Sequence, residues 1–365
     1  MPVPYERTRI RNMELKNRFV RSATIMRMAN EDGSCTSPLV ETMRTLSSGG
    51  VGLAITGYAY VTRGGKSNLN QLGCYSDDLI PGLTRMTSAV HSAGAKVALQ
   101  IVHCGLFSRP ELTGEPVIGP SVMEGDGGPV GVEMTGAEIR ATTTAFGAAA
   151  ARGKASGFDA VQVHAAHGYL LSQFLSPYFN KRKDQYGGSV ESRARFLVEV
   201  VHDVRDAVGP DYPILVKMNA EDRLEGGLVV RDMVAIARML QSAGVDAIEI
   251  SGGTALAFAR KEMNSAPFRI GTDEVVYWRA AAEAYKAEVD VPLMLVGGVR
   301  SYETATELVR DGIADYISLS RPLIREPGLI ERWRSERAGR SKCVSDNACL
   351  SSGRDGNGVR CVHLE

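Results

Sequence analysis

SGFDAVQ (Ser156–Gln162) carries the plan of the fold in one short stretch: a helical run ends, a glycine turns the chain, and an apolar strand begins. A glycine just past a helix accepts the left-handed conformation that other residues resist. The same junction recurs in AGAKVAL (Ala93–Leu99), AGVDAIE (Ala243–Glu249) and DGIADYI (Asp311–Ile317). Outward from these junctions, short apolar runs alternate with amphipathic ones along the chain. Candidate strands are Arg18–Ala23, Gly52–Gly57, Lys96–His103, Ala160–Ala166, Pro213–Ala220, Ala247–Gly252, Pro292–Gly298 and Tyr316–Arg321. They are rich in Val, Ile and Leu with little strict alternation, as strands buried on both faces read. Helical patterns cover Thr135–Ser156, Ser189–Val208, Val230–Ala243, Val275–Ala287 and Ser301–Asp311. Eight such βα units predict an α/β fold, a (β/α)8 TIM barrel over residues 1–340, followed by a Cys-containing tail over 341–365. A doubly wound open sheet is the alternative, but no early G-x-G-x-x-G turn supports it.

Composition narrows the function. The chain has 365 residues, 44% hydrophobic and 23% charged, with 42 basic and 42 acidic side chains. That balance lacks the basic footprint of a nucleic-acid binder. The opening MPVPYERTRI has no apolar signal core, and no run is long enough to span a membrane. A cytoplasmic protein with a small-molecule partner is expected. Six cysteines are too few for a disulfide scaffold in a chain of this length. Two long polar segments, Ile101–Val132 and Asn180–Glu191, follow the third and fourth predicted strands, and the first is expected to cross the barrel mouth.

In a barrel of this kind the chemistry sits at the C-terminal strand ends. The fourth predicted strand runs into VQVHAAHGYLLSQFLSP (Val161–Pro177), which crowds His164, His167 and Tyr169 onto one strand end. Imidazole N–H groups polarise a carbonyl or bind an oxyanion, and a phenol donates a proton at neutral pH. A single His there would read as a structural, hydrogen-bonded residue; three such groups together read as a site. The seventh strand ends in LMLVGGV, with Gly297 and Gly298, and the eighth in ISLSRPLIREP, with Ser320 and Arg321. Barrels commonly bind phosphate between these two loops, on exposed backbone N–H groups and a forked guanidinium.

HAAHGYL (His164–Leu170), SPYFNKRKDQYGGSVESRARF (Ser176–Phe196) and LKNRFV (Leu15–Val20) resemble the active-site, loop and first-strand motifs of the old yellow enzyme, or NADH:flavin oxidoreductase, family. The resemblance runs to about Trp333. It implies an FMN-bound barrel that takes hydride from NADH or NADPH and passes it to an activated alkene by a ping-pong route. By the same resemblance His164 and His167 hold the substrate oxygen, Tyr169 supplies the proton, and the phosphate of FMN lies at Gly297, Gly298, Ser320 and Arg321. Gln100 matches the glutamine that reads the pyrimidine edge of the flavin. Lys217 stands where the family more often has an arginine near N1 and O2, and Ala23 and Thr24 flank the ring by their backbone. Relatives are often oligomers. The residues leave other classes open: an FMN-dependent dehydrogenase or demethylase running oxidatively, a barrel that binds FMN without redox turnover, and a flavin-free aldolase or isomerase using Lys217 as a Schiff-base lysine.

Three positions stand apart from the pattern. Ile25 lies where the family often has Thr or Cys, and Arg27 lies near an aromatic substrate contact of some relatives; Arg27 would favour an acidic substrate or face solvent. His103, ending the third strand, lines the pocket or plays a structural part. CVSDNACLSSGRDGNGVRC (Cys343–Cys361) resembles the four-iron, four-sulfur segment of trimethylamine dehydrogenase and 2,4-dienoyl-CoA reductase, with Asp346 in place of the second cysteine. Four thiolates are the usual requirement of such a cluster. The leading expectation is a relic that binds nothing; zinc or an altered iron–sulfur cluster at Cys343, Cys349 and Cys361 are the alternatives.

Overall fold

The structure is a computed structural model that describes residues 2–125, 128–259, 275–336, 338–353 and 357–363. Eight parallel strands form its centre: β1 (Phe19–Arg21), β2 (Leu53–Ile55), β3 (Lys96–Val102), β4 (Ala160–Ala165), β5 (Ile214–Asn219), β6 (Ala247–Ser251), β7 (Leu293–Val296) and β8 (Tyr316–Leu319). Each pairs with its sequence neighbours, and β8 pairs back onto β1 through Ile317 opposite Phe19 and Ser318 opposite Val20. The sheet is therefore a closed barrel, and the open-sheet alternative falls away. Around it run α1 (Ser37–Ser48), α2 (Ile80–Ser92), α3 (Gly136–Ala155), α4 (Val190–Val208), α5 (Val230–Ser242), α6 (Arg279–Lys286), α7 (Tyr302–Arg310) and α8 (Leu329–Glu336). No described helix is long and apolar enough to cross a membrane.

The junctions work as their sequence implies. Gly94, Gly157, Gly244 and Gly312 all sit at φ between +70° and +84°. At Gly94, Gly244 and Gly312 a Cβ would meet nothing within 4 Å, so backbone conformation rather than space selects glycine there. At the other helix ends, the Thr135 hydroxyl accepts from the Glu138 N–H and the Glu138 carboxylate accepts from the Thr135 N–H, a reciprocal cap that fixes where α3 begins. The helix expected from Val275 starts only at Arg279, because the Tyr277 N–H donates to the Gly297 carbonyl and holds 275–278 against the glycine pair. The N-terminal hairpin, Thr8–Ile10 paired with Met13–Leu15, and helices α1, α2 and α8 complete the frame without a clear sequence signal.

Two cores follow from the alternation of side chains along a strand. Outward residues such as Val161, Val163, Val216 and Ile248 pack under the helices. Inward residues Val20, Leu53, Ala98, Ala160, Leu215, Ala247, Met294 and Tyr316 fill the lower barrel, and Ile10, Met13 and Leu15 of the hairpin plug its base. One step further up, the inward positions turn polar: Ser22, Gln100, Gln162, Lys217, Glu249 and Ser318, all buried. None of the described residues of the segment after β3 lines the cavity. Arg182 of the following loop donates to the carbonyls of Pro120 and Met134 and pins that segment aside.

Removing the plug's packing should unfold the barrel from below. Leu15→Ala, at a 1% exposed position, should cost roughly 2–5 kcal/mol, read as a lowered urea midpoint with unchanged slope; an unchanged midpoint would show that the hairpin is dispensable to the barrel.

Candidate functional site

The polar layer is one connected network. The Gln100 amide donates to the Gln162 carbonyl oxygen at 2.7 Å, and the Gln162 amide donates to Glu249 Oε2 at 3.0 Å. Lys217 Nζ sits 3.3 Å from the same carboxylate oxygen and donates to Ser22 Oγ at 2.9 Å. Burial pulls Lys217 below its usual range, opposed by Glu249; Arg21, buried beside them, comes down to about 10 for the same reason. Glu249 Oε1 and Ser318 Oγ are buried without a hydrogen-bond partner. Fully buried polar atoms are normally satisfied, so two orphans in one layer mark a place prepared for something else.

Above this layer opens a cavity of about 610 Å³ at the C-terminal end of the strands. Ala23, Thr24, Gln100, His164, His167, Tyr169, Lys217, Gly297, Gly298, Ser320 and Arg321 all line it, as do Ile25 and Arg27. His103 does not: its Nδ1 accepts from the Gly105 N–H at 3.1 Å, a turn-capping part. In the loop after β6, Gly253–Ala255 line the wall, and 260–274 lie outside the described residues.

The aromatic corner is tightly built. The His164 ring lies 5.2 Å from both the His167 and the Tyr169 rings, each nearly perpendicular to it. His164 Nδ1 accepts from the Ala166 N–H at 3.3 Å, which leaves Nε2–H as a donor. His167, in the left-handed region at φ +61°, is held by its backbone N–H to Asn219 Oδ1 and by Nε2 to Ser251 Oγ at 2.8 Å. Burial keeps both imidazoles neutral: His164 falls well below its ordinary value, with His167 and Lys217 adding to the effect, and His167 falls to about 3. Burial likewise raises Tyr169 well above the ordinary phenol, with Tyr58 contributing and Arg27 opposing. Tyr58, just past β2, has its ring 5.4 Å from that of Tyr169, tilted by 35°, and accepts from the Asn68 amide at 2.6 Å. Sequence reasoning missed Tyr58, although an aromatic residue beyond a barrel strand is a readable signal.

The opposite wall is the glycine pair and β8. Gly297 and Gly298 have φ of +124° and +87°, and a Cβ on Gly298 would fall 1.7 Å from the Val275 carbonyl oxygen. No other residue fits there. Thr24 Oγ1 and Ser320 Oγ, 2.7 Å apart, tie the ends of β1 and β8 together. Arg321 donates to Asn347 Oδ1 at 2.6 Å and to the Tyr277 hydroxyl at 3.3 Å. Asn347 belongs to the tail, which lies across the mouth and is anchored by the Val359 N–H on the Met26 carbonyl. In the tail Asp346 Oδ2 is bound to His363 Nε2 at 2.6 Å. Among the described residues no group of three or more His, Cys, Asp or Glu is placed to hold a metal ion.

Comparison with known proteins bears on this geometry. Residues 5–339 match the family described as NADH:flavin oxidoreductase / NADH oxidase. The chain is 35% identical over 357 residues to the NADH oxidase of Thermoanaerobacter brockii, covering 97% of this chain and 54% of that protein. It is also 35% identical over 320 residues to the NADPH dehydrogenase of Bacillus subtilis (strain 168), covering 87% of this chain and 90% of that one. Among solved structures, a 2-naphthoyl-CoA reductase complex superimposes with a TM-score of 0.86 at 28% identity, over 95% of this chain and 54% of the other. The chain thus spans about half the length of some relatives and nearly all of others.

Two measurements test the site as built. Glu249→Gln strands a buried lysine and should destabilise the protein by roughly 3–5 kcal/mol, largely recovered by adding Lys217→Met; additive losses in urea unfolding would rule out the pair. The second concerns pH. His103 falls to about 4 by burial. The unfolded chain protonates near 6.5 while the folded one does not, so stability is lost as pH falls from 6.5 towards 4. His103 alone should cost about 2 kcal/mol by pH 5. His103→Asn should flatten the pH dependence of the unfolding midpoint by that amount, and identical slopes would show that His103 is not held neutral.

Proposed function

The chain belongs to the NADH:flavin oxidoreductase / NADH oxidase family, and from that premise we propose that it is an FMN-dependent oxidoreductase. In this reading it takes hydride from NADH or NADPH and reduces an activated alkene, an α,β-unsaturated carbonyl, in a ping-pong cycle on one site. The observation that carries the reading is one cavity in which a neutral His pair and a phenol face a glycine cradle across a buried Lys–Glu layer. A cytoplasmic location and a small-molecule substrate belong to the same reading. So does the division into a barrel over 1–340, which holds the chemistry, and a tail over 341–365, which covers it.

The residues fit FMN on grounds of their own. The cavity falls within the roughly 300–1,000 Å³ of small-ligand sites. The Gly297–Gly298 backbone admits no side chain and offers N–H groups to a phosphate, with Ser320 and Arg321 beside it. Gln100 and Lys217 supply a polar amide and a cation for the pyrimidine edge, and Ala23 and Thr24 border the ring. When bound, FMN supplies the hydride chemistry, for which no protein nucleophile is needed.

The chain's own groups do the rest. His164 Nε2–H and the His167 ring hold the substrate carbonyl oxygen by hydrogen bonds from neutral imidazoles, so the alkene is polarised without a full charge beside Lys217. Tyr169, over the same corner, gives its phenol proton to the carbon next to the carbonyl. Its raised pKa keeps that proton in place at neutral pH. Lys217 meets negative charge that grows at its edge of the pocket, while Glu249 keeps it from being an isolated buried cation.

Tyr169→Phe tests the assignment. Anaerobic stopped-flow should show bleaching by NADH or NADPH at an almost unchanged rate, and reoxidation by 2-cyclohexenone slowed roughly 10²–10⁴-fold. Equal slowing of both half-reactions would remove the proton-donor role, and a purified protein without flavin absorbance would remove the reading altogether.

A further inference from the structure

Arg27 stands at the cavity mouth in a condition that the reaction proposed above leaves unexplained. It lines the main cavity and a smaller one behind it, next to Tyr58. Its backbone is left-handed, φ +51°, a conformation that is uncommon for a non-glycine residue and collects at ligand clamps. Its Nε is buried with no hydrogen-bond partner. Among the described residues no carboxylate pairs with it. Its one hydrogen bond to the described residues is from Nη1 to the Leu350 carbonyl, at 3.4 Å, a long contact for a charged donor.

The other cations of the pocket are accounted for. Lys217 has Glu249, and Arg321 has Asn347 and Tyr277. Arg27 has no side-chain partner among the described residues, yet it is not loose. The tail packs on its stem: a Cβ on Gly353 would lie 3.2 Å from Arg27 Cδ. The guanidinium is close enough to Tyr58 and Tyr169 for its charge to act on both phenols. A positioned guanidinium with unused donors, next to the proposed proton donor, matches a planar anion with two oxygens.

We propose that Arg27 makes this enzyme selective for activated alkenes that carry a carboxylate, and that it holds the carboxylate at the mouth while the carbonyl lies on His164 and His167. The selectivity rests on the oxidoreductase reading, but the anion site can be tested without it. Ile25, beside Arg27, offers the carboxylate no competing hydrogen bond. The tail fixes Arg27 from above, so the residues beyond the barrel contribute to substrate choice.

The test pairs an acid with its ester. In the holoenzyme, trans-4-oxo-2-pentenoate and its methyl ester would be compared as substrates, and the saturated acid 4-oxopentanoate would be titrated by calorimetry with no nucleotide present. Arg27→Gln should weaken binding of 4-oxopentanoate and raise KM for the unsaturated acid by roughly 10- to 100-fold, the weight of a charge-assisted pair. KM for the ester should change less than about twofold, and Arg27→Lys should recover part of the loss. Equal effects on acid and ester, or wild-type preference for the ester, would overturn the proposal while leaving the oxidoreductase reading intact. Arg27-dependent binding of 4-oxopentanoate without turnover of either alkene would do the opposite: the anion site would stand and the reductase reading would fall. No binding and no turnover would sink both.

Discussion

Closure of β8 onto β1 is the constraint on which everything else depends. Once Ile317 faces Phe19 and Ser318 faces Val20, the alternation of side chains around all eight strands is fixed. A slip of one residue in any strand would send its inward set out under the helices. The register that places Leu215 in the apolar plug is the one that places Lys217 in the polar layer and leads Asn219 to the mouth. Fold and site are therefore two heights of one structure rather than separate achievements of the sequence.

That geometry sets the electrostatics. A charge inside a barrel is far from water, and the chain handles the problem differently at each height. In the middle layer Lys217 and Glu249 compensate each other, with two glutamines and a serine spreading the hydrogen bonds. At the mouth the imidazoles avoid charge altogether: burial holds them neutral, so they act as directed donors and not as cations. The result is a pocket with positive charge at its floor and rim and neutral hydrogen-bonding groups between them. Such an arrangement suits a reaction in which negative charge appears on a carbonyl oxygen and must be given a proton promptly.

Much of this was legible along the chain, and the limit has a physical form. The His164–Tyr169 corner could be read because its three groups arrive within one strand end and its turn. The glycine pair could be read because it follows an apolar strand, whereas Gln100 and Lys217 entered only through the resemblance to the family. Glu249 could not, although it sits in one of the four junction segments that reveal the fold. Its part depends on Gln162, 87 residues earlier, and on Lys217, whose serine partner is 195 residues away. Strand parity plus closure would have brought them together; composition and spacing do not. Strand ends were overrun for a related reason. Gly57, Gly252 and Gly297 continue the apolar pattern, but the ladder stops before them, and these residues turn the chain into the mouth.

The tail is tied to the barrel by contacts of its own. Its cysteine spacing resembles a cluster-binding loop, yet its polar residues face protein partners: Asp346 holds His363, Asn347 holds Arg321, and Val359 is tied to Met26. The contacts run instead to the two loops that frame the cavity, after β1 and after β8. A segment fastened to both frames holds them at a fixed separation, and it does so while pressing on the stem of Arg27. The width of the mouth and the aim of its rim cation thus come from residues that contribute no strand or helix to the barrel.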